Sequence, residues 1–455
     1  MTHVLLISTY ELGHQPFGLA SPAAWLRQAG AEVACLDLAV QPLNEALVAQ
    51  ASLIFLYLPM HTATRLAIEL IPRLKSLNPR AHYCCYGLYA PANESYLRGL
   101  GVDTVLGGEF ESGTVALYDF ISSSSGQFGH HSQQQPSISL ERPQFLVPDR
   151  SLLPPLDAYA KLHMPDGSVK QVGYTEASRG CKYRCRHCPI VPVYNGRFRI
   201  VQPQIVLADI RQQVASGAQH ITFGDPDFLN GPSHAIRIVR ALHTEFPHLT
   251  YDATIKIEHL LKFDHLLPKL RDTGCLFITS AVEAVDDHIL DIMDKGHTRA
   301  DFLQAATRLR QLGLALNPTF VAFTPWTTAS GYLQMLSVLR DLDLVSNMAP
   351  IQYAIRLLIP AGSRLLELAE VQNLVAAFDH AALCYPWQHP DPAMDKLYQR
   401  IFRLVQQNQS NGESRNVLFS KVWQAVSELV PDSNSSSLNW PLPTRPVPRL
   451  SESWY

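Results

Sequence analysis

The stretch "QVGYTEASRGCKYRCRHCPI", residues 171–190, determines how the rest of this chain is interpreted. Its first part, "QVGYTEAS", predicts a short strand that ends just before a loop. The loop carries Cys181, Cys185 and Cys188 in a C-x3-C-x2-C pattern. Three thiols are an odd number for disulfide bonds and one fewer than a closed zinc site requires. The pattern therefore indicates a metal centre that protein thiols complete only in part.

A four-iron cluster is the centre that such a loop fits. Three thiolates bind three of its irons and leave the fourth iron open to a substrate or cofactor. Basic side chains around the loop would offset the negative charge of the thiolates and sulfides. These basic residues are Arg179, Lys182, Arg184 and Arg186. Because the loop follows a strand in a strand–helix series, it lies where barrel folds place their active sites.

The other five cysteines do not extend this site. They lie singly or as one adjacent pair in apolar segments, where each is expected to be a small buried hydrophobic residue. They are Cys35, Cys84, Cys85, Cys275 and Cys384. Eight cysteines in 455 residues do not make a disulfide framework, which favours a reducing compartment and metal binding by any cluster of thiols.

The composition predicts a globular protein of two or three domains. The chain has 455 residues, 47% hydrophobic and 17% charged, and a formal net charge of -3, and this length exceeds what one core organises. No apolar run approaches the ~18 residues that span a bilayer, and the start lacks the features of a secretory signal. We therefore expect a cytoplasmic protein without a membrane partner. The slightly acidic balance argues against a nucleic-acid partner.

Residues 1–120 alternate short apolar segments with helical segments. In the first helical segment, Ser21 is expected as the N-cap, Pro22 as the first helical residue and Gly30 as the end. Strands are expected at "HVLLIS", "AEVACLDL", "SLIFLYL" and "AHYCCYG". Strands and helices that alternate on short connections predict a doubly wound, Rossmann-like parallel sheet.

The rest of the chain is predicted to hold a linker, a barrel and an extension. The polar segment within 121–165, which includes His130 and His131, is expected to be a linker. Residues 166–370 contain six strand–helix units, which predict a partial (β/α)6 TIM barrel. Residues 371–455 are expected to form a helical C-terminal extension with an extended, Pro-rich tail. The predicted fold class is α/β.

The cysteine loop and its strand resemble those of the radical S-adenosylmethionine enzymes over about residues 166–370. That resemblance implies a [4Fe-4S] cluster on Cys181, Cys185 and Cys188, whose open iron binds the amino and carboxylate groups of S-adenosylmethionine. It implies that reduction cleaves this cofactor to a 5′-deoxyadenosyl radical, which abstracts a substrate hydrogen. His187 takes a position where many members have an aromatic residue near the adenine, and an imidazole can stack there too.

The resemblance implies further cofactor-binding residues at the ends of later strands. In "FGDPDF", Gly224 and Asp225 would meet the methionine amino group, while Asp227 suits either a cofactor contact or a helix N-cap. In "SAVEA", Ser280 and Glu283 are the candidates for contacts to the ribose or the methionine part. Residues that catalyse the reaction on the substrate are not assigned, because radical chemistry requires no diagnostic acid–base pair.

The N-terminal segment resembles the cobalamin-binding-like domain of one radical S-adenosylmethionine subgroup. The matching segments are "GLASPAAWLRQAG" (18–30), "LGGEFE" (106–111) and, in the barrel, "DKGHT" (294–298). The Asp-x-His-x-x-Gly segment that supplies a histidine to cobalt in other cobalamin proteins is absent from residues 1–120. The C-terminal segment also resembles an uncharacterised subgroup whose tail contains cysteine or selenocysteine.

Three functions follow from these observations. The first is a radical enzyme with a cluster, S-adenosylmethionine and cobalamin as a candidate third cofactor, which methylates an unreactive carbon. The second keeps the radical chemistry, fills the N-terminal crevice with Tyr10, Phe17 and Tyr57, and makes that domain a docking module without cobalamin. The third is a regulatory protein that binds a structural metal. Either enzyme would need a reductant such as flavodoxin or ferredoxin and a small-molecule or peptide substrate that the sequence does not name.

Overall fold

The computed structural model describes residues 3–123, 137–430 and 447–451. Its N-terminal part is a parallel sheet in the order β2-β1-β3-β4-β5-β6. The strands are β1 (His3–Ser8), β2 (Glu32–Asp37), β3 (Leu53–Tyr57), β4 (His82–Tyr86), β5 (Thr104–Gly108) and β6 (Ile138–Ser139). The helices are α1 (Phe17–Gln28), α2 (Glu45–Gln50), α3 (His61–Leu77), α4 (Glu94–Gly99) and α5 (Glu111–Ser123). Because the strand order reverses between β1 and β3, the ligand crevice of such a sheet lies at their carboxyl ends.

The N-terminal sheet is doubly wound, as the sequence predicts. Its strands are apolar, and a hydrophobic core covers each of its two faces. All residues of β3 are buried, and so are all but the first residue of β1. Side chains alternate between faces along each strand. Leu5 and Ile54 therefore join one core while Leu6 and Phe55 join the other.

Helix α1 begins earlier than the sequence predicts. Ser21 is not its N-cap, because the helix starts at Phe17 and contains Pro22 in its interior. Pro22 has no N–H group, so the Gly18 carbonyl lacks its usual helical donor. The Tyr86 hydroxyl at the end of β4 donates to that carbonyl at 2.6 Å. A tertiary contact therefore satisfies the group that the proline leaves unpaired.

The second part is a curled sheet in the order β14-β13-β12-β11-β8-β7-β15. Its strands are β7 (Lys161–His163), β8 (Val169–Thr175), β11 (His220–Phe223), β12 (Thr250–Thr254), β13 (Cys275–Glu283), β14 (Ala315–Phe320) and β15 (Arg449–Leu450), with β9 (Ser178–Gly180) and β10 (Phe198–Ile200) forming a separate hairpin. Strands β8 and β11 to β14 are parallel neighbours, as in a partial barrel. The predicted sixth strand is not formed in the described structure, where Arg356 joins the sheet only through a parallel bridge to Phe323.

Helices cover the outside of the curled sheet and continue into the C-terminal region. The barrel helices are α6 (Val191–Tyr194), α7 (Pro203–Ala215), α8 (Pro232–Glu245), α9 (Ile257–Lys262), α10 (Leu267–Asp272), α11 (Asp287–Ile292), α12 (Arg299–Leu312) and α13 (Ala329–Asp341). The C-terminal helices are α14 (Ala369–Leu374), α15 (Pro392–Asn411) and α16 (Arg415–Ser427). This arrangement confirms the predicted α/β class with a doubly wound sheet, a partial barrel and a helical C-terminal region.

Two of the predicted segments are described only in part. The polar stretch with His130 and His131, and most of the Pro-rich tail, lie outside the described residues. The described piece of the tail contributes β15, which pairs antiparallel with β7 at the edge of the barrel sheet. Among the described residues, no helix combines the length and the apolar character that crossing a membrane requires.

Candidate cluster and cofactor site

The cysteine loop lies between the strands of the β9–β10 hairpin, just after β8. Gly180, the residue before Cys181, pairs with Phe198 and has a φ of +72°. On the barrel side, Asn230 holds the start of the loop: its Oδ1 accepts from the Lys182 N–H at 3.4 Å and lies 3.9 Å from the Cys181 thiol. A second turn closes at the Cys188 N–H, which donates to the Cys185 carbonyl at 3.2 Å. The loop is therefore fixed at both ends by backbone and amide contacts.

The three thiols lie within electrostatic range of one another. The pKa of Cys188 is raised to about 12, mainly by burial and also by nearby Cys185 and Cys181, while the Ile190 N–H and Lys295 act in the opposite direction. Burial also raises the pKa of Cys181. No three His, Cys, Asp or Glu side chains of the described residues surround one metal ion. Each thiol of a [4Fe-4S] cluster binds a different iron, so a cluster does not require the three thiols to meet at one point.

A buried carboxylate, Glu283, lies beside this loop at the end of β13. Its Oε1 lies 3.1 Å from Lys295 Nζ and 3.1 Å from His187 Nε2. Burial opposes its ionisation, but Lys295 and His187 outweigh burial and hold the pKa of Glu283 well below its usual range. Burial likewise opposes the charge of Lys295, yet Glu283 raises the pKa of Lys295, with Cys185 and Cys188 contributing. Glu283 and Lys295 are therefore an ionised pair next to two of the thiols.

This arrangement also shows what the sequence prediction missed. Lys295, within the segment "DKGHT", is the buried cation near the thiols, although that segment suggested only a subgroup resemblance. Arg186, expected to offset the thiolate charge, donates instead to the Asp291 and Ile292 carbonyls at 3.0 and 2.9 Å. His187 Nδ1 is buried and has no hydrogen-bond partner in the described structure, so it is available to a ligand.

Asp225 and Gly224 lie at the end of β11, where the sequence places them. Asp225 accepts from the Ser178 hydroxyl at 2.5 Å and from the Ala177 N–H at 2.9 Å. Burial raises the pKa of Asp225 to about 7. A Cβ at Gly224 would overlap the Tyr174 hydroxyl. Both carboxylate oxygens of Asp225 are thus used to hold the strand that leads into the cysteine loop.

Asp227 lies closer to the thiols than Asp225 does. It caps the following turn by accepting from the Leu229 N–H at 3.3 Å, and its other oxygen is 2.6 Å from His259 Nδ1. The opposite nitrogen of His259 is 2.8 Å from the hydroxyl of Tyr183, which lies between the first two cysteines. These three side chains, of which Asp227 and His259 are buried, connect the carboxyl end of β11 to the middle of the loop.

Ser280 and Glu283 occupy different environments although both lie on β13. The Ser280 hydroxyl donates to the Ile255 carbonyl at 2.6 Å and the side chain is completely buried. The register of β13 against β14 shifts between Ala281 and Glu283, and Glu283 has a φ of +66°. This bulge turns Glu283 toward His187. A cavity beside it lies between the ends of β13 and β14, with Val285, Ala322 and Tyr332 among its lining residues.

The carboxyl ends of β1 and β3, where the N-terminal sheet has its crevice, face the start of the cysteine loop. The Tyr57 ring packs against Tyr86 and Phe110, with ring centroids 5.2 and 6.1 Å apart. A Cβ at Gly18 would overlap the Tyr57 ring. Tyr57, Phe17 and Tyr10, which would fill the crevice in the docking-module interpretation, are all buried.

The fold and the loop together define the class. Residues 175–324 match the model of the Radical SAM superfamily. The chain therefore carries an enzyme domain of this superfamily, whose cofactors are a [4Fe-4S] cluster and S-adenosylmethionine and whose members require a reductant.

Individual relatives extend the comparison beyond this domain. A tRNA-2-methylthio-N(6)-dimethylallyladenosine synthase of Desulfosudis oleivorans is 26% identical over 49% of this chain and 51% of its own length. The chain thus spans about half the length of that relative.

Two solved structures with this fold illustrate the structural likeness. OxsB, a cobalamin-dependent S-adenosylmethionine radical enzyme, aligns with a TM-score of 0.66, 14% identity and coverage of 90% of this chain and 67% of its own. TsrM, a radical S-adenosylmethionine methyltransferase from Kitasatospora setae with cobalamin and a [4Fe-4S] cluster bound, aligns with a TM-score of 0.60, 16% identity and coverage of 83% and 77%.

Proposed function

We propose that this chain is a radical S-adenosylmethionine enzyme in which Cys181, Cys185 and Cys188 bind three irons of a [4Fe-4S] cluster. One observation carries the proposal: a single loop at the end of the first barrel strand presents three mutually close thiols next to the buried Lys295. When bound, the cluster would supply the electron that cleaves S-adenosylmethionine to methionine and a 5′-deoxyadenosyl radical, which would remove a hydrogen atom from the substrate.

The residues around the thiols have separate roles in this proposal. Glu283 and His187 present a carboxylate and an unpartnered ring nitrogen to the cofactor. Lys295 balances the negative charge of Glu283 and of the thiolates. Asp225 and Ser280 use their polar atoms on the protein itself and therefore position the loop and β13.

An external reductant completes this function. Flavodoxin or ferredoxin supplies the electron in the proposed reaction. The substrate is a small molecule or a peptide that enters the open end of the partial barrel.

Methyl transfer through cobalamin is the second candidate, and the fold shared with TsrM and OxsB is what favours it. At the carboxyl ends of β1 and β3, Tyr57 packs on Gly18 and Tyr86 donates to the Gly18 carbonyl, whereas a cavity beyond the end of β5, lined in part by Gly107, Glu109 and Gly113, is open. We therefore propose hydrogen abstraction without assigning cobalamin to the reaction.

The first test is anaerobic reconstitution of Cys185→Ala, with Cys275→Ala as a matched control. Cys275 is also a buried cysteine, but it lies at the start of β13, away from the loop. We expect about four irons per chain in the wild type and in the control, and loss of the cluster absorbance in Cys185→Ala. Full iron content in Cys185→Ala would overturn the assignment. One zinc per chain in place of iron would indicate the regulatory metal protein.

A second measurement tests the cofactor. The electron paramagnetic resonance spectrum of the reduced cluster should change when S-adenosylmethionine is added, and 5′-deoxyadenosine should accumulate slowly without substrate. An unchanged spectrum would show that the cofactor does not bind the open iron.

A further inference from the structure

The ligand-binding edge of the N-terminal sheet contacts a residue of the cysteine loop. Arg179, two residues before Cys181, extends its side chain from the barrel into this edge. Glu111 binds the guanidinium through both oxygens, at 2.7 and 2.9 Å, and Glu109 lies at 3.4 Å. The side chain of Arg179 is 8% exposed and those of Glu109 and Glu111 are 1% exposed. A fork-shaped guanidinium bound by a carboxylate at two points is fixed in orientation as well as in position.

Aromatic rings complete the environment of this guanidinium. The ring centroids of Phe145, Phe110 and Phe17 lie 5.1, 5.2 and 5.6 Å from its central carbon. Cations are attracted to the faces of aromatic rings at these distances. Glu176, within the same strand-to-loop connection, accepts from Nε at 2.7 Å. The donors of Arg179 are therefore satisfied inside a cage that both parts of the chain build.

The same edge holds the other end of the cysteine loop. Tyr194 lies in α6, after the last cysteine, and its hydroxyl donates to Glu109 Oε1 at 3.1 Å. Between the two contacts, the backbone at Gly180 turns with a positive φ, and a Cβ there would overlap the Tyr194 ring. Glu109 thus contacts the residues that enter and leave the loop, so that the N-terminal domain restrains both ends of it.

We infer that Glu109 and Glu111, which bind Arg179 and Tyr194 from the carboxyl edge of the N-terminal sheet, are positioning residues for the iron–sulfur loop. The inference rests on the proposed function, because it assigns the loop to a cluster. It also gives the N-terminal domain a role that needs no cofactor. Buried ion pairs are best suited to fixing one arrangement among several, which is what a loop with three metal ligands requires.

The test uses Glu111→Gln in the full chain, with Arg150→Lys as the matched control. Arg150 is also buried and also joins the two parts, through Asp209 and Gln15, but it does not contact the loop. Both variants are reconstituted anaerobically, and iron content and the rate of iron release to a chelator are measured. We expect iron release to be several-fold faster in Glu111→Gln and close to that of the wild type in Arg150→Lys. Equal release rates in Glu111→Gln and the wild type would overturn the inference.

Amide hydrogen exchange of the protein without iron gives an independent readout. In Glu111→Gln, exchange should increase in residues 178–200 and remain unchanged in β12 and β13. If exchange increases throughout the barrel, Glu111→Gln only destabilises the fold. The same comparison is then made with the conservative Arg179→Lys, because this variant keeps the charge but not the two-point contact. Unchanged exchange at residues 178–200 in both variants would refute the positioning role.

Cobalamin binding is tested separately with hydroxocobalamin. After incubation and desalting, retention of a full equivalent by the wild type would favour methyl transfer through cobalamin, and retention of less than a tenth would favour hydrogen abstraction without it; neither result bears on the positioning role. Absence of an iron cluster in the wild type would instead refute the proposed function, and the positioning role with it, while leaving the cobalamin result valid. The two failures are therefore distinguishable.

Discussion

Replacing Gly180 with alanine should destabilise the cysteine loop by more than the cost of placing an alanine at a positive φ angle. Gly180 has a φ of +72°, and a Cβ there would lie 2.6 Å from the Arg197 carbonyl oxygen and would overlap the Tyr194 ring. Gly313, at the end of α12, has a φ of +74° with no atom within 4 Å of such a Cβ. The pair Gly180→Ala and Gly313→Ala therefore separates the cost of the φ angle from the cost of the overlap.

The expected magnitudes follow from these two terms. A residue with a Cβ in the left-handed region costs roughly 1–2 kcal/mol, which is the whole effect expected for Gly313→Ala. Overpacking adds typically about 1–3 kcal/mol. At Gly180 the overlap includes a backbone carbonyl of the paired strand, which cannot rotate away, so this term applies in full. Gly180→Ala should therefore reduce the free energy of unfolding by about 2–5 kcal/mol.

Urea unfolding of the two variants and the wild type, followed by circular dichroism, measures this difference. Iron content after reconstitution gives the local readout, because Gly180 directly precedes Cys181, the first of the proposed cluster ligands. We expect Gly180→Ala to bind less iron than Gly313→Ala. Equal destabilisation and equal iron content in the two variants would show that the overlap is relieved without moving the loop.

Three other substitutions test the buried charges. Asp209→Asn should destabilise the chain by about 3–5 kcal/mol in urea unfolding, because it leaves the buried Arg150 without its carboxylate; a loss below about 1 kcal/mol would contradict this. Burial raises the pKa of Asp225 from 3.8 to about 7, so the folded state holds this proton over a range in which the unfolded state has lost it. Wild-type stability relative to Asp225→Asn should therefore fall by on the order of 4 kcal/mol between pH 4 and pH 7, and a difference that stays constant with pH would contradict it. Lys295→Met removes a buried positive charge near two thiols, so the cluster should be reduced at a more negative potential in a redox titration followed by electron paramagnetic resonance. An unchanged potential would mean that the ammonium does not act on the cluster.

The sequence was sufficient to predict the larger features of the fold because they repeat locally. Apolar strands alternate with amphipathic helices through both parts, and this pattern predicts a doubly wound sheet and a partial barrel. The β9–β10 hairpin has only three residues in each strand, which is too short to show a period. The apolar character of residues 351–360 predicts a sixth strand, but apolar residues also serve other contacts: Tyr353 and Ala354 join the core that contains α15, and Leu357 and Ile359 join a separate core with Trp387.

The candidate site likewise has features that a local sequence pattern predicts and features that depend on tertiary contacts. The spacing of the three cysteines is a local pattern, so the loop could be identified without coordinates. The orientation of side chains on β13 could not, because a bulge changes which face each residue takes. Ser280 and Glu283 were equal candidates in sequence, yet Ser280 bonds the neighbouring strand and Glu283 faces His187. Lys295 reaches Glu283 only through tertiary packing of the segment after α11.

The N-terminal domain illustrates why a shared fold and a shared ligand are separate questions. Strand order and helix packing determine the likeness to TsrM and OxsB, and they persist at 14–16% identity. A ligand site depends on the few side chains at the carboxyl edge of the sheet. Here Pro22 leaves the Gly18 carbonyl open to Tyr86, Tyr57 packs on Gly18, and Glu111 binds Arg179. Each contact joins this edge to other parts of the chain, so the likeness in fold does not by itself determine what the edge binds.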